Sequence, residues 1–281
     1  MIKKDLKNIL CCPKCHSGLE LVEDALFCRG CKIKFPLNNG IPMFLAKSLK
    51  TAESFYEKSL IKRRLFSFGE KIASFIFSFY FPTKGQGIIN NLRKKSSRYQ
   101  LVLNIGGGNK KYGFRHEVNL DIVQLPNVDV VGDAHHLPFK NDSFDLVICE
   151  SVLEHVENPP GVLKEIYRVL KGGGKIYAIT PFLQRYHSYP KDYTRWTLNG
   201  LESLFSQFRC ISKGVNGGAW VSFVEFNIQL VRLVFRQKNL LFFPVIFLLL
   251  IFFAFLRLIF LLIPKQKEHI LANSFYFLGE K

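Results

Sequence analysis

Four cysteines near the N-terminus have the type and the spacing that metal binding requires. Cys12 and Cys15 form one C-x-x-C pair, Cys28 and Cys31 form a second, and twelve residues separate the two pairs. Each pair places two thiolates on a tight turn, and two such turns build the tetrahedral four-sulfur cage of a structural Zn²⁺ site. Four protein ligands leave no open position, so we expect this zinc to stabilise the fold without doing chemistry. Redox-active thiols are the alternative, and the adjacent Cys11 is predicted to stay outside the cage.

Acidic side chains follow apolar stretches further along the chain. An apolar run at 101–105 enters a glycine turn, and Asp121, Asp133 and Glu150 each end a later apolar run. Glycines allow a sharp turn and a close approach of a ligand to the backbone. In a parallel sheet, acids at the ends of strands meet at one edge, where Asp121 is placed to accept hydrogen bonds from ribose hydroxyls. The alternative for each acid is a helix cap or a turn residue.

The segment 181–197 is rich in Tyr, His, Arg and Trp and follows another apolar run. Loops beyond the carboxyl ends of strands commonly bind substrates. The candidate catalytic residues are His187, as a base, Arg195, as a partner for an acidic substrate group, and Tyr193. A hydrogen-bonded loop that closes over a cofactor explains the same residues equally well. His155, in the sequence LEHV, is predicted to lie on a helix as a packing or positioning residue.

The elements that must position these residues alternate between strands and helices from residue 99 to about 217, which is typical of a parallel α/β sheet. Only ten residues, 106–115, connect the first two strands, so the first helix of the usual pattern is expected to be shortened or lost. We divide the chain into a zinc ribbon at 1–48, a basic helical linker at 49–98, a sheet domain at 99–217 plus 272–281, and an apolar helical insertion at 218–271.

The motifs GDA..LPF, SFDLV…LEHV and EIYRVLKGGG resemble those of class I S-adenosylmethionine-dependent methyltransferases, of the type 11 group. The resemblance implies a Rossmann-like, doubly wound, seven-stranded sheet whose last strand, near the C-terminus, is antiparallel. It also implies that Asp121 holds the ribose and that Asp133 with Ala134 reads the adenine. The full set of predicted cofactor-binding residues is Asn104, Gly106, Gly107, Gly108, Asp121, Ile122, Asp133, Ala134, His135 and Glu150.

Two departures from that family are visible. An acid usually stands at the position of Asn104, and the glycine turn is more uniform than usual. Asn still donates and accepts hydrogen bonds, so we interpret the change as a local variation. The N-terminal pattern LCCPKC…LFCRGCKIKFPLNNGIPMFL resembles the zinc ribbons of small methyltransferase-activator proteins and those fused to some RNA methyltransferases.

Composition sets limits on the class of protein. The 281 residues are 48% hydrophobic and 22% charged, which excludes a disordered chain. Five of the seven cysteines lie within the first 31 residues, which argues against a disulfide scaffold and for a reducing, cytoplasmic setting. The net charge is +17, and most of it lies in the first 100 residues, with 19 Lys and Arg against 7 Asp and Glu. This basic N-terminal region is suited to binding nucleic acid or an anionic membrane surface.

The segment 240–263 is strongly apolar, interrupted only by Pro244 and Arg257. A helix of this length reaches across a bilayer core of about 30 Å. If the C-terminal residues form the last strand of the sheet, however, both ends of the insertion lie on one side of any membrane. We then expect a re-entrant hairpin or helices that lie in the membrane interface, with a buried or oligomer-forming helical cap as the alternative.

These observations lead to three functional hypotheses. The first is a methyltransferase that uses S-adenosylmethionine and a structural Zn²⁺ and acts on a small-molecule, lipid-linked or glycan acceptor at the cytoplasmic membrane face. The second is an RNA methyltransferase that uses the basic zinc-ribbon region. The third is a non-catalytic binding protein with a methyltransferase fold. The sequence identifies neither the acceptor nor the oligomeric state.

Overall fold

A computed structural model describes residues 4–45, 83–95, 99–187, 191–234 and 242–281. The predicted linker at 49–98 lies mostly outside these residues, because only 83–95 of it are described. Its basic run at 62–64 and its aromatic patch at 75–81 lie wholly outside them.

The N-terminal unit is a small antiparallel sheet in the order β1-β2-β3-β4, preceded by a short helix. Its elements are α1 (Lys4–Ile9), β1 (Glu20–Val22), β2 (Ala25–Cys28), β3 (Ile33–Asn38) and β4 (Ile41–Pro42). Asn39 and Gly40 connect β3 to β4 and both have positive φ, which is the geometry that an Asn-Gly hairpin turn requires. The predicted ribbon architecture is present.

The main unit is a seven-stranded sheet in the order β10-β11-β9-β8-β5-β6-β7. Its strands are β5 (Val102–Ile105), β6 (Glu117–Asp121), β7 (Val130–Val131), β8 (Phe144–Glu150), β9 (Leu170–Pro181), β10 (Arg209–Gly217) and β11 (Ser274–Glu280). Only β11 runs antiparallel to its neighbours, and it pairs with β9 and β10 on either side. The predicted α/β fold class, with an antiparallel last strand, is confirmed.

The two faces of this sheet are covered by helices from different parts of the chain. These helices are α2 (Gly85–Lys94), α3 (Pro159–Val169) and α4 (Leu198–Leu204). Two further helices, α5 (Ala219–Val234) and α6 (Phe242–Phe260), pack against each other. Side chains alternate along β5, so Leu103 packs with α3 and α4 while Val102 packs with α2 on the opposite face. The sheet is therefore the middle layer of a three-layer domain.

The connection between β5 and β6 contains no helix, as the short spacing predicted. Instead, the Glu117 carboxylate accepts hydrogen bonds from the backbone N–H groups of Tyr112, Gly113 and Phe114. Tyr112 and Phe114 then pack against Ile89 of α2, which covers the face that the missing helix would cover. A helix from the preceding segment thus substitutes for the lost one.

Two elements are shorter than the sequence indicates. The strand that precedes Asp133, β7, pairs in the sheet only at Val130 and Val131. His155 was predicted to lie on a helix, and it ends a single turn of 3-10 helix, Leu153–His155. The helix that follows, α3, begins later because the Asn158 side chain accepts a hydrogen bond from Gly161 N and Pro159 opens the first turn.

The ribbon packs directly on the edge of the main sheet. Met43 forms a parallel bridge with Val131, and Phe44 N donates to Val131 O at 2.8 Å. Asn38 Nδ2 donates to Gln124 Oε1 at 2.7 Å, within the loop that follows β6. The ribbon therefore supports the β6–β7 end of the sheet.

The insertion between β10 and β11 is a helical hairpin whose two ends meet. Gly217 pairs with Ser274, and Asn273 N donates to Gly217 O at 2.7 Å. Trp220 and Val224 of α5 pack against Phe253 of α6. In the part of the chain that the structure describes, no helix has the length and apolarity needed to cross a membrane.

Candidate active site and metal centre

A cavity of about 870 Å³ opens at the carboxyl ends of the parallel strands. Its walls come from the ends of β5, β6 and β7, from the turn after β8 and from the start of α3. Six of the predicted cofactor-binding residues line it: Gly106, Asp121, Ile122, Asp133, Ala134 and His135. This size lies within the range of small-molecule and cofactor sites.

The glycine turn after β5 depends on the absence of side chains at two positions. Gly106 has a φ of +65°, and a Cβ there would stand 2.4 Å from Cγ2 of Val152. A Cβ on Gly107 would stand 2.1 Å from Nδ2 of Asn104. Both contacts are far shorter than packing allows, so the turn that forms one wall of the cavity requires glycine.

Asp121 ends β6 and is almost fully buried, with its carboxylate at the cavity. Its Oδ2 accepts a hydrogen bond from Gly108 N at 2.9 Å, and its Oδ1 accepts from Val123 N at 3.1 Å. Burial raises the pKa of Asp121, and these backbone N–H groups act in the opposite direction by stabilising the charged form. Each oxygen retains a lone pair, which fits a ligand that offers hydroxyl donors.

Asp133 follows β7 and is held by the next turn. Its Oδ1 accepts from the backbone N–H of His135 at 2.9 Å and lies 2.7 Å from Nδ1 of the same residue. The second oxygen is not used in these contacts. Asp121 and Asp133 therefore lie in one cavity, as strand-end acids should.

Asn104, Gly107, Gly108 and Glu150 were also predicted to bind the cofactor, but they are not among the residues that line the cavity. Asn104 is buried and donates from Nδ2 to Oδ1 of Asn119 at 2.7 Å and to Lys110 O at 3.1 Å. These bonds stabilise the glycine turn that follows β5. Glu150 forms an ion pair with Lys110 at 2.6 Å. These contacts favour supporting roles.

Of the three candidate catalytic residues, only His187 lines the cavity. Arg195 binds the carboxylate of Asp192 with both guanidinium nitrogens and lowers the pKa of Asp192 to about 2. Asp192 Oδ2 in turn accepts from His187 N at 2.7 Å. Tyr193 donates from its hydroxyl to Oε1 of Glu157 at 2.6 Å. Arg195 and Tyr193 thus hold the loop that carries His187.

Sequence reasoning missed a neighbouring group. Glu154, His155 and His187 bring one carboxylate oxygen and two ring nitrogens within 4.8 Å of one another. Glu154 is completely buried, and burial raises its pKa to about 7. The cavity is also lined by His136, Ser151, Glu157 and Asn158, for which the sequence offered no signal beyond their position after strands.

The four predicted metal ligands do come together. The Sγ atoms of Cys12, Cys15, Cys28 and Cys31 all lie within 4.8 Å of one another, and those of Cys15 and Cys28 are 3.5 Å apart. The Ser17 hydroxyl lies 3.4 Å from Sγ of Cys15, and hydrogen bonds from Ser17, Cys31 and Cys28 lower the pKa of that thiol to about 6. The same contact with Cys15 raises the pKa of Cys31 to about 12, because the two sulfurs share a proton. Four converging sulfurs fit a tetrahedral Zn²⁺ ion.

Two segments of the chain match models of known protein families. Residues 111–178 match the family model described as a methyltransferase domain, and residues 3–40 match the model of the Trm112p-like protein family. Each of these two segments therefore resembles one of the two families, and both resemblances inferred from the sequence are confirmed.

The curated relatives match over short segments. A demethylmenaquinone methyltransferase of Lactobacillus johnsonii is 53% identical over 45 residues, which cover 16% of this chain and 18% of the relative. An uncharacterized protein of Methanocaldococcus jannaschii, MJ0638, is 39% identical over 66 residues, which cover 22% of this chain and 29% of the relative. The chain thus spans less than a third of the length of these relatives.

Among solved structures, a putative methyltransferase from Bacillus halodurans has a TM-score of 0.44 at 14% identity, covering 70% of this chain and 98% of that one. The complex of the Haloferax volcanii Trm112 methyltransferase activator with a putative methyltransferase has a TM-score of 0.40 at 15% identity. It covers 69% of this chain and 93% of the matched chain.

Proposed function

We propose that this protein is an S-adenosylmethionine-dependent methyltransferase that acts on an apolar or lipid-linked acceptor at the cytoplasmic face of a membrane. The observation that carries the proposal is the cavity at the strand ends, where a glycine turn and two acids surround one space. That arrangement matches the binding needs of a nucleoside with a charged amino-acid tail.

The residues of the cavity fit this cofactor in distinct ways. Asp121 supplies carboxylate lone pairs for ribose hydroxyls, and Asp133 with Ala134 lies where the adenine would bind. Gly106 leaves the backbone open to the methionine end. Ile122 and His135 complete the walls of the adenosine site.

The bound cofactor supplies an activated methyl group, whose leaving group departs as a neutral thioether. What the chain must contribute is alignment, because positioning two reactants accounts for most of the acceleration in such a transfer. The Asp192–Arg195 pair holds the loop with His187, and His187 faces the same cavity as the two acids. We infer that the acceptor binds in the part of the cavity beside His187.

Exposed apolar surface on the helical hairpin supports the choice of acceptor. Leu233 is 84% exposed, Phe255 71% and Leu262 80%, while the opposite sides of the helices are buried against one another. Exposed apolar patches of this kind mark interaction sites. Lys265 and Lys267 lie exposed beside the hairpin and suit the phosphates of an anionic bilayer. We therefore infer that the hairpin lies in the membrane interface.

The Trm112p-like segment has a structural part in this proposal. We propose that Cys12, Cys15, Cys28 and Cys31 hold a structural Zn²⁺ that keeps the ribbon folded against β7. We propose the domain limits that the sequence indicates, with the ribbon at 1–48, the linker at 49–98, the methyltransferase domain at 99–217 plus 272–281, and the hairpin at 218–271.

An RNA acceptor is the second candidate, because the match to the Trm112p-like family and the net positive charge of the first 100 residues both favour a macromolecular substrate. The two acids that face the cavity argue against the third hypothesis, a degenerate binding protein.

The experiment that separates these acceptors is a transfer of labelled methyl groups from S-adenosylmethionine to the total lipid, glycan and RNA fractions of a cell extract. We expect label in the lipid fraction, and none with the Asp121→Ala variant. Label confined to the RNA fraction would show that the acceptor is RNA and not a lipid. No transfer to any fraction would contradict the proposal that the protein is a methyltransferase.

A further inference from the structure

Three potential metal ligands converge beside the cavity, apart from the cysteine cage. The Nε2 atoms of His155 and His187 lie 3.9 Å and 3.8 Å, respectively, from the same oxygen, Oε1 of Glu154. The two imidazole rings meet edge to face with centroids 5.0 Å apart. Both ring nitrogens that face the carboxylate are therefore the same type of atom, Nε2.

Backbone contacts determine which nitrogen of each ring carries the proton. Nδ1 of His155 lies 2.5 Å from Lys191 O, and Nδ1 of His187 lies 2.9 Å from Arg185 O. A carbonyl oxygen only accepts, so Nδ1 of His155 is the donor and its Nε2 keeps a lone pair. Nδ1 of His187 also lies 3.4 Å from a guanidinium nitrogen of Arg195, and the shorter contact with the Arg185 carbonyl favours the same tautomer. This is the outer hydrogen bonding that orients histidines bound to metals.

Glu154 lacks the partners that a buried carboxylate needs. Its side chain has no exposed surface, and within the described part of the chain neither of its oxygens has a hydrogen-bond partner. A buried and unpaired carboxylate is costly unless it binds a cation or becomes protonated. The nearby Arg195 is already committed to Asp192. The two imidazoles lie within 4 Å of Oε1, and a cation held between the rings and the carboxylate would neutralise Glu154.

We propose that Glu154, His155 and His187 bind one divalent transition-metal ion, whose open coordination positions face the cavity. Two imidazole nitrogens and one carboxylate oxygen are a donor set that suits such ions and leaves positions for further ligands. His155 and His187 line the cavity, whereas Glu154 lies behind them, so the open side of the site faces the space assigned to the acceptor.

The role of the ion rests on the proposed function, which it makes more specific by naming oxygen as the methylated atom. A hydroxyl group of the acceptor binds the ion and releases its proton to solvent water, because the cation stabilises the resulting oxyanion. The oxygen lone pair then forms the bond to the methyl carbon while the carbon–sulfur bond breaks, and that electron pair stays on sulfur. The oxidation state of the ion does not change.

Titration of the full-length protein with Mn²⁺, followed by electron paramagnetic resonance of the free ion, tests the site without cofactor or acceptor. Mn²⁺ prefers oxygen and nitrogen ligands, so it leaves a thiolate-bound Zn²⁺ in place. We expect about one Mn²⁺ per chain, with binding at least tenfold weaker in His187→Ala and in Glu154→Gln. His269→Ala, which removes an exposed histidine in the segment Lys265–Leu271, is the control and should bind like the wild type.

Folding of each variant is checked by its melting temperature and by calorimetric binding of S-adenosylmethionine. Absence of Mn²⁺ binding in the folded wild type would overturn the metal site, and so would equal binding in all variants. If His187→Ala abolished methyl transfer while the wild type bound no Mn²⁺, the three residues would act as a proton relay instead. If Mn²⁺ bound but no methyl transfer occurred, the proposed function would fail and the metal site would stand.

Discussion

The two groups of potential metal ligands in this protein differ in almost every respect. The cysteine cage offers four sulfurs and no open position, and none of its cysteines is among the residues that line the cavity in the described part of the chain. The group of Glu154, His155 and His187 offers three mixed ligands beside the cavity. The comparison teaches that a closed ligand set suits a role in folding, whereas an incomplete set beside a cavity suits a role in chemistry.

The largest expected effect is on the closed site. Replacing the fully buried Cys28 by Ser removes a zinc ligand from a unit whose apolar residues share the main core. Structural zinc contributes on the order of 10 kcal/mol to the folding of such units, so we expect loss of zinc and of soluble protein. Zinc content and thermal melting measure this. Cys210→Ser, at an exposed cysteine, is the matched control, and equal stability of the two variants would refute a structural cage.

Removal of metal by a chelator should distinguish the two sites directly. Because a three-ligand site leaves its ion exposed to exchange, excess EDTA should lower methyl transfer by about tenfold or more within minutes. Zinc content and melting temperature should stay unchanged over the same time, and added Mn²⁺ should restore transfer. If zinc and activity were lost together, the functional separation of the two sites would be wrong.

A smaller effect is expected in the glycine turn of the cavity. In Gly106→Ala, the new Cβ meets Val152 and the residue keeps a positive φ, so we expect a loss of about 1–3 kcal/mol of stability. Affinity for S-adenosylmethionine should fall as well. Denaturant unfolding and calorimetry measure the two effects. Gly172→Ala, where a Cβ has open space, should change stability by less than about 0.5 kcal/mol.

The smallest effect on the folded chain is expected on the exposed side of the hairpin. Leu233→Lys and Phe255→Lys should leave the melting temperature almost unchanged, because both side chains are largely exposed. Binding to vesicles that contain phosphatidylglycerol should weaken about tenfold for each, since the apolar contact with lipid is lost. Leu21→Lys changes an exposed leucine of the ribbon and is the control. Equal vesicle binding by all three variants would contradict the proposal that the hairpin binds a membrane surface.

The same two regions explain how far the sequence could predict the structure. All four cage ligands were predicted, because each C-x-x-C pair is formed within one turn and its spacing is local. Asp121 and Asp133 were predicted to lie close together because parallel strands bring their ends to one edge, and both line the cavity. A shortened or lost first helix was predicted from the ten residues that connect the first two strands, and the antiparallel β11 was predicted from the resemblance to the methyltransferase family.

The group of Glu154, His155 and His187 could not be predicted from local spacing or from strand ends. His155 and His187 lie 32 positions apart in the sequence, and their rings meet through tertiary contacts of the loop that contains the Asp192–Arg195 pair. The burial of Glu154 depends on the packing of that loop as well, and no periodic pattern in the sequence encodes it. Asn104 was assigned to the cofactor from the family resemblance and Glu150 from its place at the end of a strand, whereas their side chains form contacts with Asn119 and Lys110.

Calorimetric titration with S-adenosylmethionine tests the central claim, that the cavity at the strand ends binds this cofactor through Asp121. The wild type should bind one molecule per chain. In Asp121→Ala, loss of hydrogen bonds to a charged group, worth about 2 kcal/mol, should weaken binding by at least tenfold. Circular dichroism should show that the variant remains folded. Equal affinity in the folded variant, or no binding by the wild type, would contradict the account.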